Sequence, residues 1–508
     1  MRLGRKTFWT FLLLPVLAFV ALNGSEPDRV SAKAPETYDV VLKGGRVIDP
    51  ETGLDAIRNV GIRGDRIAEI TSEELQGKEV IDVSGLVVSP GFIDLHAHGQ
   101  SNISNEYQAH DGVTTALELE GGVGFVREWI ESRRGNALIN YGASASHGQA
   151  RTLAMKKYAS ETAEVRRIVE AEGIESPKFG PIASRMAGSV YEALSKEEIQ
   201  AMFRALQIEL EAGALGIGVP VGYYPGATRG ELFDIYRFAA EKDTVIFTHV
   251  REISIAGIQE AIANAAVNGT PLHIVHINSM SLGEIDTSLA MVKAAQERGL
   301  DITTELYPYT AASTSLQSSL FDEGWQKRMG ITYGDLQWQD SGERLTEATF
   351  KTYRERGGIV IIHLMKPEWI ARGIKAPFTM IASDGMPYAP GAHPRSAGTF
   401  SRVLGQYVRE QELLSLTDAL AKMTIMPAKR LEKVAPGAKL KGRLQVGCDA
   451  DITVFDPETI IDTATFEKDL SFSEGVKHVL VNGTFVVKDG RTSDATFAGR
   501  PLLGKFRR

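Results

Sequence analysis

The sequence predicts an α/β fold: an eight-stranded (β/α)8 barrel of the TIM type with a small β-sandwich domain built from both chain ends. Three observations lead there. Between about residues 91 and 430, short apolar strands alternate with amphipathic helical stretches, the pattern of repeated βα units in a parallel sheet. Four of those strands end in His or Asp placed as candidate metal ligands, and the carboxyl-end rim is where such barrels carry their chemistry. Short strands punctuated by Gly and Asp occur before residue 90 and again after residue 450. One domain made from both ends requires the intervening segment to start and finish in nearly the same place, as a closed barrel does.

Composition bounds the rest. At 508 residues, with 43% hydrophobic and 24% charged, the chain can bury one large core and a smaller one. A net charge of −8 gives no basic footprint for a nucleic acid partner. Arg2, Arg5 and Lys6 precede an apolar run from Phe8 to Leu22, followed by Asn23-Gly24-Ser25. That run is too short to span a bilayer, so 1–32 reads as a signal peptide, with export to the periplasm or medium and no stable membrane anchor after cleavage. The single cysteine, Cys448, rules out an intramolecular disulfide. Oligomeric state is open, a homo-oligomer included.

The domains follow in order: 33–90 is the N-terminal part of the sandwich, 91–430 the barrel, and 431–508 the C-terminal part. In the first, 38–47, 60–62, 66–70 and 80–83 read as strands; in the last, 450–455, 476–481 and 484–487 do, with Asn482-Gly483 as a hairpin turn. The eight barrel strands are expected at 92–98, 113–120, 139–147, 215–221, 245–249, 272–277, 302–307 and 378–384. Ser195 with Glu198 forms a capping box for a helix over 196–212, stopped by Gly213. The stretch at about 311–376 exceeds an ordinary loop and carries its own apolar run, 359–364, so it reads as a lid over the barrel mouth.

The strand ends carry the chemistry. Strand one runs into His96 and His98, whose i, i+2 spacing projects both imidazoles from one face. Strand five ends at His249, strand six at His276 and strand eight at Asp384. Four imidazoles and a carboxylate on one rim make a metal site for Zn²⁺, one ion or two. On strand two, Glu118 and Glu120 share a face; Glu120, nearer the strand end, is the choice for a ligand bridging two metal positions, with Glu118 as a buried partner of a barrel polar group. A zinc held this way acidifies a water and polarises a carbonyl, and Asp384 is the expected general base and acid, taking the water's proton and handing it to the departing nitrogen. His110, His273, His363 and His478 are read as structural, His273 because its odd spacing from His276 turns it to the other face. His147, ending strand three, and His393, shortly after Asp384, are kept as substrate-side candidates.

These residues resemble the amidohydrolase superfamily, through Gly91-Phe92-Ile93-Asp94-Leu95-His96-Ala97-His98, His249, His276, Ser383-Asp384-Gly385 and the Gly442-to-Ile452 segment. More narrowly they resemble the N-acyl-D-amino-acid deacylases, or D-aminoacylases, through Gly213 to Gly218, Thr248-His249-Val250-Arg251, Tyr307-Pro308-Tyr309, His393-Pro394-Arg395 and Gly398-Thr399-Phe400. The resemblance implies zinc, a barrel with a small β domain, and removal of an acyl group from a small-molecule N-acyl-D-amino acid. By that likeness Arg395 and a tyrosine, Tyr307 or Tyr309, hold the substrate carboxylate, with Arg251, His147 and His393 on the substrate side. Two departures stand out: the family's second strand ends with a metal-bound cysteine where this chain reads Leu119-Glu120-Gly121-Gly122, and its lysine two residues after the strand-six histidine is Asn278 here. A cyclic-amide hydrolase of the dihydroorotase or hydantoinase kind is the alternative enzyme, and an exported binding protein on the same barrel the alternative of another class.

Overall fold

Strand placement follows from burial. In the computed structural model, residues 37–494 and 496–507 are described; the leader expected over 1–32 lies outside them. Eight parallel strands stand side by side in chain order: β1 (Phe92–Asp94), β2 (Val113–Val123), β3 (Asn140–Ser146), β4 (Ile217–Pro220), β5 (Ile246–His249), β6 (Leu272–Ile274), β7 (Ile302–Leu306) and β8 (Thr379–Ile381). Each is buried on both faces, which is why they read as continuous apolar runs rather than alternating ones. Ile93, Leu95, Leu117, Leu119, Val245 and Phe247 fill the interior, while outward residues such as Ile217, Ile246, Ile274 and Ile302 join the larger core under the helices. Most of these strands are shorter than the runs expected, because the residues after them leave the ladder and bend into the mouth.

Asp94 makes the closing seam between β1 and β8. No ladder joins those two strands. Instead the buried Asp94 carboxylate accepts the Ser383 amide at 3.0 Å, the Ser383 hydroxyl, and the His96 amide at 3.1 Å. One turn further up, the His98 amide donates to Gly385 at 2.8 Å. Burial raises the Asp94 carboxyl to about 6 against the pull of these bonds. The same clasp fixes His96 and His98 relative to Asp384.

The chain ends meet in one sheet of nine strands, so the expected sandwich is realised as a single hydrogen-bonded sheet around one apolar cluster that includes Leu42, Val60, Ile62, Val88, Ile452 and Val454. Val87–Pro90 joins the halves, parallel to Thr37–Asp49 and antiparallel to Ile452–Phe455, and it runs on into β1. The expected 431–508 boundary needs correction at both of its edges. Val434, Ala435 and Ala438 pack into the barrel floor. The tail returns there too: the Leu502 amide donates to Tyr141 at 2.7 Å and its side chain plugs the interior cluster. An open barrel floor exposes apolar residues, and these segments cover it.

The insertion at 311–376 folds as a unit. Ala311–Ser315, Ile359–His363 and Leu336–Trp338 form an antiparallel three-stranded sheet, backed by a cluster of its own with Phe321, Trp325, Trp338 and Phe350. Its inner residues roof the barrel mouth.

Replacing Asp94 with Ala strands three buried donors, each worth roughly 1–3 kcal/mol when left unpaired. We expect a loss of about 3 kcal/mol and a thermal midpoint lower by several degrees in calorimetry; an unchanged midpoint would show that the seam does not depend on this clasp.

Candidate metal centre

Glu120 stands at the middle of the mouth. One carboxylate oxygen, Oε2, lies 3.4 Å from Nε2 of both His96 and His98. The other, Oε1, lies 2.8 Å from His249 Nδ1 and 3.2 Å from His276 Nε2. A single side chain therefore faces two pairs of imidazoles. It can reach there because β4 comes very close: a Cβ on Gly218 would sit 2.4 Å from the Glu120 carbonyl oxygen and 2.7 Å from that of Leu119, so only glycine fits beneath it.

The first pair is completed by Asp384. Nε2 of His96 and Nε2 of His98 are 3.2 Å apart, and Asp384 Oδ1 lies 3.4 Å from each. Two groups, His96 with His98 and Asp384, and His96 with Glu120 and His276, have ligand atoms within 4.8 Å of one another. Backbone geometry aims two of these residues: His276 has φ 32° and Asp384 φ 51°, the left-handed region that non-glycine residues seldom occupy. Each turns its side chain inward just past a strand end, and such strain gathers at functional sites.

A shell of carboxylates holds the imidazoles. Glu118 accepts from His98 Nδ1 at 2.8 Å. Glu305 accepts from His96 Nδ1 at 2.7 Å and from His273 Nε2 at 3.1 Å. His273 therefore points into the barrel, not away from it as its odd spacing suggested: strand alternation ends at β6, and the left-handed turn at His276 resets the facing of that residue. Sequence reading missed Glu305, although an acid inside the apolar strand Ile302–Leu306 is the same signal that singled out Glu118 and Glu120. It also missed Tyr223, whose phenol accepts from Thr314 Oγ1 at 3.2 Å and lines the cavity.

The donor set fits a metal. Glu118, Glu120, Glu305 and Asp384 bring four carboxylates against four imidazoles in a largely buried space, and that much negative charge out of water requires cations. The unpartnered His249 Nε2 and His276 Nδ1 leave those rings with hydrogen-bonding capacity unused. Burial raises the Glu120 carboxyl, but His96, His249 and His276 reverse that and hold it well below its ordinary range. Burial likewise opposes ionisation of Asp384, and Arg395 together with the imidazoles of His96, His98 and His276 keeps it ionised.

The other expected site residues divide into two sets. Arg395 and Tyr307 come to the centre: Arg395 Nη1 is an ion-pair partner of Asp384 at 2.9 Å, its guanidinium stacks 4.6 Å above the Tyr307 ring, and Arg395 Nε and Tyr307 Oη have no hydrogen-bond partner. Tyr309, His393, His147 and Arg251 are occupied elsewhere. Tyr309 donates to Asp462 at 3.1 Å. His393 donates to the Ala311 carbonyl and accepts from the Arg395 amide, both at 3.0 Å, and so props the arginine. His147 and Arg151 pair with Glu231, and Arg251 pairs with Glu260 at 2.8 Å. Asn278 donates to the Tyr307 carbonyl at 3.0 Å. The cavity itself is about 290 Å³, walled by His98, Glu120, His249, His276, Asp384 and Tyr223 below and by lid residues Leu320, Met329 and Ile362 above.

Known proteins share this architecture. The model of the Amidohydrolase family matches residues 79–487. The N-acyl-D-glutamate deacylase of Alcaligenes xylosoxydans xylosoxydans is 31% identical over 92% of this chain and 100% of its own length; the D-aminoacylase of the same organism is 30% identical over 92% and 98%. Among solved structures, N-acyl-D-glutamate deacylase from Bordetella bronchiseptica, complexed with zinc and a phosphonate mimic of the tetrahedral intermediate, superposes with a TM-score of 0.75 at 27% identity, covering 92% of this chain and all of that one.

Glu120→Ala is expected to lower the zinc bound per chain, measured by elemental analysis, by one equivalent, whereas Glu305→Ala keeps the ligands and weakens retention about 10–100-fold in chelator competition. Full zinc retention by Glu120→Ala would remove it from the ligand set.

Proposed function

The chain belongs to the amidohydrolase family, and from that premise we propose a zinc-dependent hydrolase that removes the acyl group from N-acyl-D-amino acids. One observation carries the substrate class: Arg395, with Tyr307 beneath it, offers unsatisfied donors beside the carboxylate that moves protons. A guanidinium there grips a planar carboxylate. The substrate then bears its acid group next to the scissile amide, as an N-acyl amino acid does. A hydantoin or an unsubstituted dihydropyrimidine offers no such group.

His96, His98, Glu120, His249, His276 and Asp384 are the residues that would hold the metal. When bound, zinc supplies Lewis-acid polarisation of the carbonyl and acidifies water. Asp384 accepts the proton of the attacking water and returns it to the departing nitrogen. Its basicity is coupled to substrate: a substrate carboxylate that engages Arg395 draws off the charge that most depresses Asp384, making it a better proton acceptor once the site is filled. Tyr223 accepts from Thr314 and burial keeps its phenol protonated, so its own proton is free for the carbonyl oxygen. An exported site of action rests on residues 1–32 alone.

The direct test is zinc-loaded protein with N-acyl D- and L-amino acids and cyclic imides; turnover of imides with no D substrate cleaved would overturn the reading. Asp384→Asn is expected to lower kcat by about 10²–10⁴. Arg395→Lys acts mainly on KM, since lysine keeps the charge but loses the paired donors, and an unchanged KM for the N-acyl-D-amino acid would place Arg395 outside substrate recognition.

A further inference from the structure

Tyr224 lies between the metal cavity and a second, larger space and lines both. This chamber, about 520 Å³ and half open to solvent, lies between the connection that precedes β3 and the one that follows it, and is lined by Phe125, Trp129, Val169, Phe179, Ile182 and Met186. The helices Ala159–Glu172 and Phe179–Arg185 form its far wall. The Tyr224 phenol rests directly on Gly148, where a Cβ would lie 1.8 Å from the Tyr224 oxygen; glycine at 148 is what lets the ring take this place between the two spaces. The expected substrate residue His147, beside it, is held by Glu231 and serves as the footing of this ring rather than as a contact in the metal cavity.

Direction follows from the barrel. Arg395 and Tyr307 lie after β8 and β7, while Tyr223 and Tyr224 follow β4, half-way round an eight-stranded wall. A substrate with its carboxylate on Arg395 and its amide over the His96, His98 and Glu120 cluster extends its acyl end away from β7 and β8, towards Tyr224. Resting on the deacylase reading above, we propose that the chamber receives the acyl chain and that the substrate class is a fatty, long-chain N-acyl-D-amino acid. An acetyl group needs no second space; 520 Å³ is room of the size that takes a whole small ligand, about 300–1,000 Å³, and its apolar lining rewards each methylene removed from water.

The test compares kcat/KM for the N-acetyl, N-octanoyl and N-dodecanoyl derivatives of one D-amino acid. Burial of each added methylene is expected to raise kcat/KM about fourfold over the first several carbons. Ala187 lines the chamber at an exposed position, so Ala187→Trp fills it without removing a core residue and should cut the dodecanoyl-to-acetyl ratio at least tenfold. Turnover of the acetyl compound with a flat or falling length series overturns the chamber and leaves the deacylase reading standing. If no N-acyl-D-amino acid of any length is cleaved, the deacylase reading fails, and dodecanoate binding decides the chamber alone: saturable change in tryptophan emission that disappears in Trp129→Phe supports it, and no change overturns it.

Discussion

Keeping several carboxylates buried in one place is the constraint on which this structure depends. Glu118, Glu120, Glu305 and Asp384 crowd the mouth of a barrel whose interior is otherwise mainly apolar, with Ile93, Leu117, Leu119, Val245 and Phe247. Each acid is tolerable only because an imidazole or guanidinium faces it, and because the donor set as a whole suits a cation. The candidate site residues are held from behind as well: Glu118 holds His98, Glu305 holds His96, and His393 props Arg395. Outer partners of this kind set ring orientation and ligand basicity.

The barrel transmits that constraint to the fold. A ring of strands must close, and here the seam is a polar clasp, with Asp94 gripping the amide and hydroxyl of Ser383. The clasp lies two residues below His96 and one below Asp384, so the contact that closes the barrel also holds these two candidate ligands side by side. The terminal sheet feeds the same seam, since Val87–Pro90 leads straight into β1. The lid adds a roof with its own core, which gives the cavity apolar upper walls and a charged floor.

Much of this was legible in the sequence because the signals are local. Pro90-Gly91 followed by an apolar run and two spaced histidines reports a strand entering a rim, and the eight runs from Phe92 to Asp384 each became a strand. Where reading by spacing failed, a long-range contact or a backbone twist was responsible. His273 faces inward because the chain turns left-handed at His276, beyond the strand in which alternation holds. Glu305 was passed over because its partners, His96 and His273, are brought to it from other strands. The tail through Leu502 looked like more of the terminal domain, since nothing in its composition says that it plugs a barrel floor.

By itself, the sequence determined the barrel, a β domain shared by the two chain ends, the family likeness and the identities of the rim residues, because periodicity and strand-end chemistry are properties of neighbours along the chain. Only the tertiary structure decided which of those residues meet. It set Glu120 between the two imidazole pairs, drew Arg395 and Tyr307 to the centre, and sent Tyr309, His147 and Arg251 to partners elsewhere, because a side chain's role at a convergent site depends on distances across strands that sequence spacing does not encode.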